Sequence, residues 1–216
     1  PLFKQKRTEL PTKKSALQKS ELENKLPKKI KAIAIGASTG GPKALFSIIR
    51  SLPENLNFPI FIVQHMPKGF TTSFSKRLDK ESTAIVVEAE DGMAIKGGIV
   101  YVAPGGYHML IENNCIKLNE ADKIHGVRPA VDYMFETAAE AYGSELASFI
   151  LTGMGQDGAR GLAKIKETGG FTVAQNRETS IVYGMPGHAV QKGVIDKIAS
   201  LNEISELINW MIRMRS

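Results

Sequence analysis

From Ile30 onward, short apolar runs alternate with segments in which apolar residues recur every three or four positions. The apolar runs predict strands over residues 30–35, 59–63, 83–88, 146–152 and 171–175. The periodic segments predict helices over residues 42–50, 71–78, 129–142, 161–168 and 204–214. Apolar strands that alternate with helices are typical of parallel strands buried on both faces. We therefore predict an α/β fold, a doubly wound, mainly parallel sheet with helices on both faces.

Three further short strand-like segments cover residues 99–103, 108–112 and 115–119. They are separated by Gly105-Gly106 and Asn113-Asn114, and such pairs favour tight turns. Together the three segments predict an antiparallel hairpin excursion from the main sheet.

The first 27 residues differ in composition from the rest of the chain. Lys, Glu, Ser and Pro dominate, apolar residues are scattered, and Pro11 and Pro27 interrupt any helix. This composition predicts a basic interdomain linker over residues 1–27, followed by one domain over residues 28–216. Because the chain begins with Pro1 rather than Met, we expect a further segment to precede the linker in the whole protein.

The charge of the chain lies in this linker. The formal net charge is +6, which by itself would suggest a nucleic-acid or membrane-surface partner. Residues 1–31 hold ten Lys and Arg against three Glu, a net charge of +7, so the remainder carries −1. A non-enzymatic module whose tail binds nucleic acid or anionic lipid is the rival interpretation. The tail has only Phe3 to stack on bases, so we expect no nucleic-acid partner.

Two further features of the sequence argue against a membrane-spanning protein and against a disulfide-bonded one. No apolar run approaches the roughly 20 residues needed to cross a bilayer, so we expect no membrane insertion. The single Cys115 excludes an internal disulfide and fits a reducing compartment, and we interpret it as structural.

Candidate chemistry follows three of the predicted strands. In open α/β sheets, ligands bind beyond the carboxyl ends of the strands. Ser38, His65 and Asp157 lie in the loops after three such strands, and their side chains are a nucleophile, a base and an acid. The sequence therefore predicts a site where these three residues act together.

The segment Gly36-Ala37-Ser38-Thr39-Gly40 matches the G-x-S-x-G pattern of a nucleophile elbow between a strand and a helix. Backbone N–H groups near Thr39 and Gly40, at the start of that helix, could stabilise an oxyanion. The alternative is that this loop has no catalytic role and only caps the helix that follows it. Phosphate-binding loops are disfavoured, because Pro42 displaces the lysine of a Walker motif and Ser38 breaks the Rossmann glycine spacing.

Other residues compete for the base and for the acid. Among the histidines, His65 is favoured by its strand-end position and His188 is second, ahead of His108 and His125. Asp157 competes with Asp132 and Asp91, and it could instead cap the helix that follows it. No His/Cys/Asp/Glu cluster has metal-ligand spacing, so we expect no metal ion or other cofactor.

With these loops in view, the chain closely resembles the catalytic domain of the chemotaxis protein-glutamate methylesterases, the CheB family. The matching segments span residues 31 to about 195 in the family's order. They are GASTGGP from Gly36, QHMP from Gln64 with Phe70-Thr71 and Arg77-Leu78, VAPGG from Val102 with His108-Met109, Arg128-Pro129 with Val131-Asp132, LTGMG from Leu151 with Asp157-Gly158, and YGMP from Tyr183.

The resemblance implies an enzyme that hydrolyses glutamate γ-methyl esters on the cytoplasmic helices of chemotaxis receptors and releases methanol. It also implies deamidation of receptor glutamines and a cytoplasmic location. The family's nucleophile, base and orienting acid fall on Ser38, His65 and Asp157, and Thr39 and Met154 match positions that line its active site.

Two departures from the family pattern change what is expected. Gly187-His188 stand where family members usually have a charged pair, which affects the rim of the site. The family's amino-terminal receiver domain, whose phosphorylation relieves inhibition, is absent from this chain. Residues 1–27 resemble the linker that would join that domain to the catalytic one.

Overall fold

The structure is a computed structural model that describes residues 27–214. The linker predicted for residues 1–27 therefore lies outside the described residues except for Pro27. Within the described range the strands are β1 (Ala32–Ala37), β2 (Ile60–Gln64), β3 (Ile85–Glu88), β4 (Ile99–Val102), β5 (His108–Glu112), β6 (Cys115–Asn119), β7 (Leu146–Ile150), β8 (Phe171–Gln175) and β9 (Lys197–Ala199). The helices are α1 (Gly41–Ile49), α2 (Phe70–Lys80), α3 (Val131–Tyr142), α4 (Ala159–Glu167), α5 (Met185–Gln191) and α6 (Leu201–Met214), with a 3₁₀ turn at Gly143–Glu145.

Seven strands form one parallel sheet in the order β3-β4-β2-β1-β7-β8-β9. β1 lies at the centre and pairs with β2 on one side and with β7 on the other. One core packs α1, α2 and α6 against the sheet, and a second packs α3, α4, α5 and the β5–β6 hairpin against the opposite face. The predicted doubly wound, mainly parallel sheet with helices on both faces is therefore confirmed.

Large and small side chains alternate along β1, and this alternation determines how closely the helices on each face approach the sheet. Ile33 and Ile35 point into the core that contains α1. Ala32 and Ala34 belong to the core that contains α3. At Gly36 a Cβ atom would collide with Val131 in the first turn of α3. Small residues on this face of β1 therefore let the start of α3 approach the end of the central strand.

The predicted hairpin excursion is only partly correct. β5 and β6 pair antiparallel, with Leu110 opposite Lys117. β4 does not join them, because it pairs in parallel with both β2 and β3 inside the main sheet. Its residues 100–102 are buried on both faces, whereas β5 and β6 each expose polar positions.

Two short elements were missed by the hydrophobic pattern. α5 contains Pro186 and Gly187, which disfavour a helix by propensity alone. Its buried Met185 and Ala189 pack into the core instead. β9 has only three residues, and it forms by pairing with the carboxyl end of β8. Tertiary contacts stabilise both elements.

No helix within residues 27–214 has the length and apolar character needed to cross a membrane.

Candidate active site

Ser38 directly follows β1, and its backbone is held on both sides. Its N–H donates to the carbonyl of Thr152 at 3.0 Å. Its carbonyl accepts from Gly41 N at 2.8 Å and from Gln64 Nε2 at 3.0 Å. The residue is half-buried, and its hydroxyl makes no hydrogen bond within the described part of the chain. The hydroxyl is therefore carried on a fixed turn and remains available for chemistry.

His65 directly follows β2, the parallel neighbour of β1. The strand register places Ala37 opposite Gln64, and His65 N donates to the carbonyl of Ala37 at 3.1 Å. Ser38 and His65 are thus the first residues after two adjacent parallel strands, at the same end of the sheet. The imidazole Nε2 lies 2.7 Å from Asp157 Oδ2, and the side chain is 10% exposed.

Asp157 is buried, and its carboxylate receives three donors. Oδ2 accepts from His65 Nε2 and, at 2.6 Å, from Val131 N. Oδ1 accepts from Asp132 N at 3.0 Å. Val131 and Asp132 open α3, so the carboxylate lies at the positive end of that helix. Asp157 does not cap the helix that follows it, because the cap of α4 is Gly158.

These donors keep Asp157 charged and determine the tautomer of His65. Burial by itself would raise the pKa of Asp157, but the His65 hydrogen bond and charge, together with the two α3 amides, hold that pKa below its ordinary value. A carboxylate facing Nε2 requires a proton on Nε2. In neutral His65, Nδ1 is then the basic nitrogen.

Three backbone N–H groups near Ser38 have no acceptor among the residues that the structure describes. Within residues 27–214, the amides of Thr39, Gly40 and Met154 donate no hydrogen bond. Gly40 has a φ of 84°, a conformation that favours glycine, and this turns the chain into α1. Met154 follows Gly153 in the loop after β7, and a Cβ on Gly153 would lie 2.7 Å from the Ser38 Cβ. Unpaired amides next to a serine are the donors that an oxyanion requires.

Sequence reasoning missed the buried polar residues that hold these loops. Gln64 Nε2 donates to the carbonyls of Ser38 and His65, at 3.0 and 3.1 Å. Its Oε1 is buried without a hydrogen-bond partner in the described part of the chain, and it occupies the space where a Cβ on Gly41 would lie. Glycine at 41 is therefore required by close packing against the Gln64 amide.

Thr152 and Gln175 fix the loop that carries Asp157. Gln175 Oε1 accepts from Thr152 N at 2.8 Å, and Thr152 Oγ1 donates to the carbonyl of Thr39 at 2.9 Å. The signal that could have found these residues is their position. Gln64, Thr152 and Gln175 are buried polar residues at or just past the carboxyl ends of apolar strands.

The competing histidines make no hydrogen bond to Asp157 among the described residues. His108 is buried, accepts from Ala130 N through Nδ1, and lies 3.1 Å from the Asp122 carbonyl through Nε2. Burial lowers the pKa of His108, so it is a neutral structural residue. His188 lies on α5, and within the described residues its ring makes no hydrogen bond.

The competing acids have structural partners. Asp132 is buried next to Asp157 and accepts from Gly161 N at 2.9 Å, and burial raises its pKa. His125 Nε2 lies 3.6 Å from Asp132 Oδ2, so this histidine joins a second carboxylate rather than the site around Ser38. Asp91 accepts from Leu118 N on the distant hairpin.

Cys115 is half-buried in β6 as a free thiol, away from these loops. Within residues 27–214, no three His, Cys, Asp or Glu side chains converge in a way that could hold a metal ion.

The chain is similar to proteins of one family across most of its length. A family model described as CheB methylesterase matches residues 33–208. A protein of Clostridium acetobutylicum named protein-glutamate methylesterase/protein-glutamine glutaminase is 46% identical over 185 residues, which cover 85% of this chain and 54% of that protein. A protein of Pyrococcus abyssi with the same name is 48% identical over 187 residues, which cover 85% of this chain and 51% of the relative.

The likeness to a solved structure extends to the fold as well as the sequence. The crystal structure of the Thermotoga maritima CheB methylesterase catalytic domain is 44% identical with a TM-score of 0.80, covering 86% of this chain and 98% of that one. The chain spans about half the length of the curated relatives it matches. With the family model and these relatives covering so much of it, this chain belongs to the CheB methylesterase family.

Proposed function

We propose that this chain is the catalytic part of a protein-glutamate methylesterase, a serine hydrolase that demethylates glutamate γ-methyl esters on the cytoplasmic helices of chemotaxis receptors. Family membership supports the reaction class. The observation that carries the proposal is the His65–Asp157 hydrogen bond of 2.7 Å, made at the strand end next to that of Ser38.

In the first step, the Ser38 hydroxyl oxygen attacks the ester carbonyl while Nδ1 of His65 takes its proton. Asp157 orients the ring and stabilises the imidazolium that forms. Nδ1 has this role because Nε2 faces the carboxylate. The serine-protease template uses the two ring nitrogens the other way round, with the carboxylate on Nδ1.

The developing oxyanion would be bound by backbone amides. The N–H groups of Thr39, Gly40 and Met154 lack acceptors within the described residues and flank Ser38. Removing one such donor typically lowers kcat by about 10²–10³. Because all three are backbone groups on loops held by Gln64 and Thr152, they need little reorganisation during the reaction.

Collapse of the tetrahedral intermediate breaks the bond to the methoxy group, which leaves as methanol with the proton from His65. Water then loses a proton to His65, attacks the acyl-enzyme and releases the glutamate carboxylate and Ser38. A glutamine side chain can form the same acyl-enzyme with loss of ammonia. The names of the relatives include glutaminase activity, which supports deamidation as a second reaction of this site.

We also propose that residues 28–216 form the catalytic domain and that residues 1–27 link it to an amino-terminal receiver domain that regulates it. The relatives are about twice as long as the matched part, which supports a further domain in the whole protein. Chemotaxis receptors as substrate agree with a cytoplasmic location for the enzyme.

The test is methanol release from receptor membranes methylated in advance, with parent protein and with the Ser38→Ala variant. We expect the variant to lose at least a thousandfold in rate, because the nucleophile is gone. Ser144→Ala is the matched control, since Ser144 is exposed and lies just before β7, at the amino ends of the strands. Methanol release by folded Ser38→Ala protein at the parent rate would refute the assignment of the nucleophile.

A further inference from the structure

A groove with a volume of about 340 Å³ lies directly beside His65. Its lining residues come from the loop after β2 and from the segment that leads into α3. They are His65, Met66, Pro67, Lys123, Gly126, Val127, Arg128 and Pro129. Its volume falls in the range of small-ligand clefts, which is roughly 300–1,000 Å³. The groove therefore has room for a side chain of a polypeptide whose ester is bound at Ser38.

The lining is positively charged. Lys123 and Arg128 contribute cations, and among residues 27–214 no carboxylate lines the groove. Within residues 27–214, neither cation forms an ion pair. The neighbouring acids in the sequence, Glu120 and Asp122, are exposed and lie outside the lining. The groove thus holds two cations without an internal counter-charge.

Arg128 is held in place with part of its guanidinium unused. Nη1 donates to the carbonyls of Glu120 and Ala121. Nη2 makes no hydrogen bond to the described part of the chain, so it is the donor left for a ligand, whereas Nε is buried and out of reach of the groove. A cation with unused donors is stabilised when a carboxylate approaches it.

The wall that carries these cations is anchored to the rest of the site. The carbonyl of Arg128 accepts from Gly106 N at 3.2 Å. His125 Nδ1 lies 3.2 Å from Gln156 Nε2, next to Asp157. The groove therefore keeps its position relative to the catalytic histidine.

We propose that this groove binds an acidic side chain of the polypeptide that carries the ester, and that Lys123 and Arg128 determine this specificity. Met66, Pro67 and Val127 would contact the methylene groups of the side chain, and the two cations would face its carboxylate. The inference rests on the proposed function, since it assigns the residues next to the hydrolysed ester. It predicts that esters in acidic segments are hydrolysed in preference to esters in neutral ones.

The test uses two synthetic peptides that contain the same glutamate γ-methyl ester. In one peptide the ester is flanked by glutamates, and in the other by glutamines. Methanol release gives kcat/KM for each, and fluorescence anisotropy of labelled peptides on the Ser38→Ala variant gives Kd without turnover. We expect the parent protein to favour the acidic peptide by about fivefold at low salt, mainly through KM, and to lose the preference at high salt.

The Lys123→Glu variant carries the decisive change. Lys123 is exposed and makes no side-chain hydrogen bond to a described residue, so its replacement leaves the fold intact. We expect the ratio of acidic to neutral kcat/KM, and the corresponding Kd ratio, to fall to one or below. Lys80→Glu makes the same charge change at the carboxyl end of α2, near the amino ends of the strands. We expect this variant to keep the parent ratio.

Each outcome separates this inference from the proposed function. A parent protein without preference for the acidic peptide, or a Lys123→Glu variant that keeps the preference, overturns the inference. Methanol release that survives Ser38→Ala overturns the proposed function instead. If neither peptide is hydrolysed, the anisotropy measurement still decides whether the groove selects an acidic segment.

Discussion

Replacing Asp157 with asparagine removes one negative charge and changes little in side-chain volume. The two carboxylate oxygens now receive three donors, His65 Nε2 and Val131 N on Oδ2 and Asp132 N on Oδ1. An asparagine that keeps its oxygen at the Oδ2 position must turn its NH₂ group toward Asp132 N–H. In the flipped orientation, the NH₂ group would face both Val131 and His65.

The expected loss can be worked out from this geometry. Opposite charges about 4 Å apart at an effective dielectric constant near 20 interact by about 4 kcal/mol. In the proposed mechanism, this interaction would stabilise the His65 imidazolium in the transition state and would be absent in the ground state. About 4 kcal/mol corresponds to roughly a thousandfold in rate, so we expect Asp157→Asn to lower kcat by about 10²–10⁴. One buried donor left without an acceptor should also reduce the free energy of unfolding by about 1–3 kcal/mol.

The assay is methanol release at saturating methylated receptor, with thermal denaturation measured on the same preparation. Asp91→Asn is the matched control, because Asp91 also accepts from a backbone amide, that of Leu118, but lies in the turn after β3 and not in the loops around Ser38. We expect the control to keep the parent kcat. A folded Asp157→Asn protein with less than a tenfold loss in kcat would refute the orienting role of Asp157.

Three further predictions concern packing and pH. Gly153→Ala would bring a methyl group into collision with Met185 Sδ and within 2.7 Å of the Ser38 Cβ, so kcat for methanol release should fall at least tenfold as the loop shifts. Burial holds the pKa of His108 below its ordinary 6.5 in the folded state, so the unfolded chain gains this proton first as the pH falls. The free energy of unfolding should therefore decrease as the pH drops below 6.5. An NMR titration in which the His108 resonances move at pH 6.5 would contradict this. Burial raises the pKa of Tyr142 to about 12, so the unfolded state loses this proton at a lower pH than the folded state. The free energy of unfolding should therefore decline between pH 10 and 12. Tyr142→Phe should flatten that decline when the free energy is measured by urea titration.

The local pattern of apolar residues was enough to predict most elements and the class of the sheet. This succeeded because strands buried on both faces need continuous apolar runs, as in Ile60–Gln64 and Leu146–Ile150. The pattern failed where pairing depends on distant partners. β4 was predicted to belong to the hairpin that follows it, but it lies between β2 and β3 in the parallel sheet.

The same distinction applies to the candidate site. Strand-end position alone selected Ser38, His65 and Asp157, because parallel strands bring their carboxyl ends to one edge. It could not show that Asp157 binds the first amides of α3, since that contact depends on how closely the helix approaches Gly36. Nor could it show which nitrogen of His65 faces the carboxylate, or that Arg128 and Lys123 line a groove beside it.

The sequence by itself determined most of the helices and strands and their order, the three reactive residue types at strand ends and the family. These properties depend on residue identity and on local periodicity, which are read along the chain. Only the tertiary structure decided the position of β4, the role of Gln64 and Thr152, and the shared carboxylate of Asp157. The physical reason is that these features are contacts through space. His65 and Asp157, for example, lie 92 positions apart in the chain and 2.7 Å apart in the fold.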